Sequence, residues 1–280
     1  MFRTFAEAES FLRTREDFER RGPGGWRPDL GPVRALVAAL GEPQRRCHVL
    51  HVGGTKGKGS TATFLAEVLR ASGRRVGLYT SPHLERVTER IVVDGEEIGA
   101  EGFVAAVGRA AAATATGGDA GRASTFDVLT AAAFDHFARA GVEWAVVEVG
   151  LGGRLDSTNV VEPEACVLTN VSLEHTEVLG DRVEDIAREK AGIVKAGIPV
   201  VTGFDGGALP VLEAACRERN ARLLRLGRDF GVGSVERAGE GLRVGVRTWK
   251  RRYGPVALPG TGLFHAENLA FAVAALEAVH

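Results

Sequence analysis

Two lysines in one short glycine-rich run, Gly53-Gly-Thr-Lys-Gly-Lys-Gly-Ser60, are the residues whose types and spacing most plainly offer chemistry. An apolar segment (Val49, Leu50, Val52) leads into Gly53-Gly54. From Ser60 to Leu69 an apolar stripe of Phe64, Leu65, Val68 and Leu69 predicts a helix. Strand, glycine turn and helix start place bare backbone N–H groups and a helix N-terminus before an anion, so the run reads as a phosphate cradle for a nucleotide. The strict phosphate-loop pattern wants Ser or Thr directly after Gly-Lys; here Gly59 follows Lys58, and the hydroxyls come at Ser60 and Thr61. The alternative is a glycine-rich strand-to-helix turn with no ligand. Residue usage favours the phosphate: the chain has 35 Lys and Arg, yet only Lys56, Lys58, Lys190, Lys195 and Lys250 are lysine. Arginine therefore does the general surface work, and two compact point charges are kept for one turn.

A second constellation lies at Val142-Glu-Trp-Ala-Val-Val-Glu-Val-Gly-Leu-Gly-Gly153. Its continuous apolar stretch predicts a central parallel strand covered on both faces. The strand ends in Glu148, and a carboxylate at a buried strand exit is costly without a cation. Ligands of open α/β sheets bind at the carboxyl ends of the strands, where the glycine turn also lies. Glu148 thus reads as a Mg²⁺ ligand beside the nucleotide, or as the partner of an arginine. Ser81-Pro82-His83 follows a short strand and reads either as a site wall or as an ordinary turn. His175 follows another strand, Ala165–Thr169, and by itself reads as a hydrogen-bonded structural histidine. Composition alone makes Lys190 a solvated lysine of a helix spanning Val183 to Val194.

The remaining elements must hold these groups in place. Helices are expected over 4–20, from Asp29-Leu30-Gly31-Pro32 through Leu40, over 100–115, 125–140, 208–219 and 264–279. Short strands are expected at 75–80, 198–202 and 223–226, with a hairpin turning at Asp94-Gly95. From Gly231 to Pro259 apolar and polar residues alternate as in a small antiparallel ribbon. The fold class is α/β, a mostly parallel sheet with helices on both faces.

The totals narrow the partners. A net charge of −1 excludes nucleic-acid or membrane binding driven by bulk charge. Three scattered cysteines, Cys47, Cys166 and Cys216, suit reduced thiols in a cytoplasmic protein. No apolar run approaches the roughly 18 residues of a membrane span.

Taken together, the motifs resemble the folylpolyglutamate synthase / dihydrofolate synthase family, a branch of the Mur ligases. The resemblance rests on Gly54–Ser60, Ser81-Pro-His-Leu84, Thr88-Glu-Arg90, Glu148–Asn159, Glu174-His175 through Gly180, Glu189–Ile193 and His265-Ala-Glu-Asn268. These run in family order across nearly the whole chain. The resemblance implies a Mur-ligase central-type ATP-binding domain over 1–280, with residues 1–42 a helical lead-in. It implies ATP held by Thr55, Lys56, Gly57, Lys58, Gly59 and Ser60, with adenine near Asn268. It implies Mg²⁺, two ions in all, on Ser81, Glu148, His175 and a carbamylated Lys190, with Lys58, His175 and Lys190 as the catalytic set. Asp29, Leu30, Gly31, Phe126, Asp127, Leu155, Asp156 and Ser157 match positions lining a folate or pterin pocket. The implied activity is an ADP-forming ligase of folate biosynthesis and one-carbon metabolism. It joins L-glutamate to a folate or dihydropteroate carboxylate through an acyl phosphate, and the protein acts as a monomer.

Four residues depart from the family pattern: Lys56 for Asn, Asp127 for Glu, Glu174 for Asp and Ala266 for Gln. They leave open a ligase for another carboxylate, or a nucleotide-binding paralogue without turnover. Family members also carry a C-terminal glutamate-ligase domain after the Asn268 helix. A fragment of a longer protein is therefore expected, with a truncated relative as the alternative.

Overall fold

The computed structural model describes residues 2–17, 29–174 and 176–279. Its centre is an eight-stranded sheet. In chain order the strands are β1 His48–Gly53, β2 Val76–Tyr79, β3 Ile91–Val93, β4 Glu96–Glu97, β5 Trp144–Glu148, β6 Ala165–Leu168, β7 Val200–Thr202 and β8 Leu223–Arg225. They lie side by side as β4-β3-β2-β5-β1-β6-β7-β8. From β2 to β8 every pairing is parallel. The hairpin β3–β4 adds an antiparallel edge. Its turn is made by Asp94 and Gly95, both at positive φ, as the Asp-Gly signal requires.

Among the described residues, eight helices of nine residues or more flank this sheet: α1 Phe5–Arg13, α2 Gly31–Ala39, α3 Lys58–Ala71, α4 Ala100–Thr114, α5 Thr125–Ala140, α6 Val183–Ala191, α7 Ala208–Glu218 and α8 Phe264–Val279. The period-two alternation of the strands sends apolar groups to both faces. Val49, Tyr79, Ala145 and Val147 join Phe103, Phe134 and Phe137 of α4 and α5 in one core, to which α1 and α2 also contribute. Leu50, Val52, Val146 and Val167 face the other way, onto Leu65 and Leu69 of α3 and onto Leu269, Phe271 and Ala275 of α8. Cys166, Leu168 and Val200 build a third core with α6 and α7.

The alternating stretch near the C-terminus forms a separate three-stranded antiparallel sheet, β9 Gly231–Ala238, β10 Gly241–Arg247 and β11 Arg252–Pro259, with β10 central. Its buried Leu242, Val244 and Val246 pack into the α3–α8 core.

Several boundaries differ from the sequence reading. The first helix stops at Arg13 rather than 20, and residues 18–28 lie outside the described residues. Helix α6 ends at Ala191 rather than Val194, with Gly192 as its C-cap, and Ile193 and Val194 beyond it enter the third core. The most consequential shift is at α3, which begins at Lys58 and not Ser60. Gly57 is its N-cap, with φ 81. The helix start therefore falls inside the glycine turn, and the N–H groups of Lys58, Gly59 and Ser60 belong to a first turn that has no intrahelical acceptors.

Candidate functional site

The ends of β1, β2, β5 and β6 open on one side of the sheet. Val52 pairs with Glu148 and Gly53 with Leu168, so the turn after β1 emerges between the Glu148 side chain and the residues that follow β6. Each carbonyl of this turn is tied back. Gly53 O accepts from Thr169 N at 3.0 Å, and Gly54 O accepts from Lys190 Nζ at 2.9 Å. Thr55 O accepts from Lys58 Nζ at 3.3 Å, and Lys56 O accepts from Thr169 Oγ1 and Asn170 Nδ2 at 2.8 and 3.0 Å. Gly57 O accepts from Thr61 N at 2.9 Å. With the negative ends of the peptide dipoles held away, the N–H groups at the α3 start and the Lys58 ammonium are what the turn offers a ligand. That is an anion site. Gly54 is at φ 138, and a Cβ there would overlap Thr169 Oγ1, so only glycine fits.

Asn268, at the start of α8, lies directly over this turn: a Cβ on Gly57 would sit 2.5 Å from its Oδ1. Its Nδ2 is buried without a hydrogen-bond partner among the described residues, so it is a donor still to be satisfied by something bound there.

Glu148 is buried, with 4% of its surface exposed. Its Oε2 accepts from Ser81 N at 3.2 Å. Burial pushes its carboxyl up to about 7, opposed by the Lys58 ammonium and by the Ser81 N–H. A carboxylate this reluctant to ionise has room for a cation. Among the described residues no three His, Cys, Asp or Glu side chains gather into a metal cage. One buried carboxylate and a serine beside a phosphate cradle is the sparse oxygen donor set that suits Mg²⁺, which keeps its waters and shares phosphate oxygens. The residues present therefore fit the ion. His175 lies outside the described residues.

Lys190 is not the solvated lysine that composition suggests. It shares one face of α6 with Ile186, Ala187 and Ala191, and 5% of its surface is exposed. Burial, and then the neighbouring Lys58 charge, pull its amine down to about 8.

The residues expected to line a second pocket form a connected polar network at the next strand exit. Asp127 Oδ2 accepts from the backbone and hydroxyl of Ser124 at 2.8 and 2.7 Å, the capping box of α5. Its Oδ1 accepts from Ser157 Oγ at 2.6 Å. Asp156 accepts from Leu151 N and Thr158 N, both at 2.9 Å, and from Thr158 Oγ1. Burial lifts its carboxyl to about 6. Phe126 packs against Gly150, and Leu155 joins the first core. Asp29 stands apart from this network: it receives Gly31 N at 2.8 Å and pairs with Arg122 at 2.9 Å, while Leu30 is buried.

Sequence reasoning missed two groups. Thr169 and Asn170 hold the glycine turn from the end of β6, and their position just past a buried strand was the available signal. His51, in the middle of β1, is fully buried, and its Nε2 meets Thr158 Oγ1 at 2.9 Å. Burial pulls its imidazole down to about 3, so it is neutral. Nothing in an apolar strand pattern marks it.

Residues 52–276 match the Mur ligase middle domain. The chain is 41% identical over 245 residues to the folylpolyglutamate synthase of Lacticaseibacillus casei, covering 86% of this chain and 57% of that protein. It is 35% identical over 291 residues to the dihydrofolate synthase/folylpolyglutamate synthase of Bacillus subtilis, covering 96% of this chain and 66% of that protein. Among solved structures, an FPGS–AMPPCP–folate complex superposes with a TM-score of 0.91 at 36% identity, over 99% of this chain and 67% of that one.

Proposed function

We propose, from the premise that this chain belongs to the Mur ligase family in its folylpolyglutamate synthase / dihydrofolate synthase branch, that it binds Mg²⁺-ATP at the β1–α3 turn. There it supports phosphoryl transfer to a folate or dihydropteroate carboxylate. The amine of L-glutamate then attacks the acyl phosphate, forming an amide and releasing phosphate; ADP is the product of the first step. The observation carrying this reading is the convergence, at the carboxyl ends of the central strands, of a turn with all its carbonyls tied back, Lys58, Glu148 with Ser81, and buried Lys190.

The chain's residues divide the work. The N–H groups of Lys58, Gly59 and Ser60, with the Lys58 ammonium, hold phosphate oxygens and counter the charge that moves with the γ-phosphoryl. Ser81, Glu148 and His175 would hold Mg²⁺, and a carbamylated Lys190 would help hold a second ion. Bound there, Mg²⁺ supplies Lewis-acid charge neutralisation at the phosphate oxygens. Carbamylation needs a neutral amine to attack CO₂, releasing one proton. Burial that draws Lys190 to about 8 favours this. The carbamate nitrogen keeps one hydrogen, enough to preserve the bond to Gly54 O. Asn268 meets the adenine end. Phe126, Leu155 and the Asp127–Ser157 pair line the pterin side, with Asp29–Gly31 at its margin.

The chain spans 57–66% of the lengths of the two relatives above. The test therefore has two arms. Mg²⁺-dependent binding of AMPPCP by this chain checks the nucleotide site. Glutamate-dependent ADP release with dihydropteroate or tetrahydrofolate checks the ligase, and the preferred acceptor separates the two activities. Nucleotide binding without glutamate-dependent release by this chain, but with release once a C-terminal extension is present, would bear out the fragment reading; no release from either would leave a nucleotide-binding module and remove the folate assignment.

A further inference from the structure

We propose that Asn170 is a positioning residue for the nucleotide site: its carboxamide grips the Lys56 peptide unit and so fixes the phosphate turn against the segment leaving β6. The inference deepens the nucleotide reading of that turn and rests on it.

The grip is two-handed. Asn170 Oδ1 accepts from Lys56 N at 2.9 Å, and Asn170 Nδ2 donates to Lys56 O at 3.0 Å. A carboxamide is the one short side chain with an acceptor and a donor in the geometry needed to answer both groups of a single residue. The two contacts also define which amide atom is which, because an N–H must meet the oxygen and a carbonyl the nitrogen. Three further bonds run between the same segments. Thr55 N donates to Asn170 O at 2.9 Å, Thr169 Oγ1 to Lys56 O at 2.8 Å, and Ser172 N to Thr55 Oγ1 at 3.2 Å. Residues 169–172 thus hold Thr55 and Lys56 through five hydrogen bonds across more than a hundred residues of sequence.

Three consequences follow. The Lys56 carbonyl, whose oxygen would repel a phosphate, is held outward. The N–H groups of Thr55 and Lys56 are consumed, so the ligand must use those further along, at the start of α3. And because Asn170 reads only backbone, the clamp is indifferent to the side chain at 56; the exposed lysine there is compatible with it. The turn contains glycines at 53, 54, 57 and 59. Such a segment loses much conformational freedom on ordering, so an anion meeting it unclamped would bind more weakly. The clamp also joins the phosphate turn to the segment that continues toward Glu174.

The experiment compares the wild-type chain with Asn170→Ala and Asn170→Leu, the latter close to asparagine in shape without its hydrogen bonds. AMPPCP affinity in the presence of Mg²⁺ is measured by calorimetry, well below each variant's unfolding midpoint. Amide hydrogen exchange is followed for Lys56 and, as a control, for the β1 strand. Loss of both side-chain bonds should weaken AMPPCP about tenfold in both variants. It should accelerate exchange at Lys56 while β1 amides stay protected. A purely structural residue would lower the unfolding midpoint and leave the affinity of the folded protein unchanged; that result, or unchanged Lys56 exchange, overturns the assignment. A wild-type chain that fails to bind AMPPCP overturns the nucleotide reading itself, while the exchange arm still reports whether the clamp holds the turn.

Discussion

Replacing Glu148 with glutamine should stabilise the ligand-free protein at alkaline pH, and do so by a calculable amount. Burial raises the Glu148 carboxyl from an ordinary 4.5 to about 7, even with Lys58 nearby. Between those values the folded state holds a proton that the unfolded chain has released. Stability therefore falls as pH rises through the window, and the loss is complete above about 7. A rise of about 2.5, at about 1.36 kcal/mol per pKa unit, amounts to about 3 kcal/mol. The glutamine carboxamide cannot ionise and mimics the protonated carboxyl in shape. Near pH 5 the two proteins should unfold alike; near pH 8.5 Glu148→Gln should be the more stable by about 3 kcal/mol, a rise of roughly 5–10 °C in Tm. His51, lowered to about 3, is common to the two proteins and cancels in the difference. Asp156, raised to about 6, repels the Glu148 charge, so relief of that repulsion adds to the stabilisation of Glu148→Gln at alkaline pH. Urea unfolding at the two pH values without metal or nucleotide measures it. Adding Mg²⁺-AMPPCP should reverse the order, because only the wild type gains the cation. A variant no more stable than wild type at pH 8.5, or a difference that does not change with pH, would refute the claim that Glu148 is held at a desolvation cost that a cation relieves.

Gly54→Ala should abolish AMPPCP binding, since a Cβ there overlaps Thr169 Oγ1 at a backbone φ that favours glycine; calorimetry showing wild-type affinity would contradict the packing of the turn. Asp127→Ala removes the α5 capping box and the Ser157 partner, and should cost about 2–3 kcal/mol by urea unfolding. Unchanged stability with weakened folate binding would instead place its carboxylate on the substrate. Lys190→Met should eliminate glutamate-dependent ADP release while shifting Tm by only a few degrees, because a buried amine is exchanged for an apolar chain of similar length. In ¹³C NMR with labelled bicarbonate, the wild type should show a carbamate signal that this variant lacks.

The sequence carried the sheet well because burial on both faces writes an unbroken apolar run. Trp144–Glu148 was legible as a central strand with a carboxylate at its exit, and both features hold. The capped helix α5 and the Asp94-Gly95 hairpin were equally legible, since their signals are local. What stayed hidden depends on partners far along the chain. Asn170 meets Lys56 across 114 positions, and His51 meets Thr158 across 107. Lys190 stood between these cases. Its spacing from Ile186 and Ala187 places it on the apolar stripe of α6, a periodicity that outweighs the generic preference of lysine for solvent.

The glycine after Lys58 is where local pattern and distant geometry meet. The strict phosphate-loop pattern asks for Ser or Thr at position 59 to present a hydroxyl to the metal. Here a Cβ on Gly59 would already lie 3.4 Å from Glu148 Oε2 and 3.8 Å from Oε1. A side chain at 59 would therefore stand in van der Waals contact with the buried carboxylate. Ser81, arriving from the end of β2 with its N–H on Glu148 Oε2, approaches the carboxylate from another strand instead. The carboxylate at the exit of β5 and the missing hydroxyl in the turn are thus one arrangement. On the proposed reading of the site, the hydroxyl that the strict pattern places at position 59 is supplied by Ser81, from a neighbouring strand.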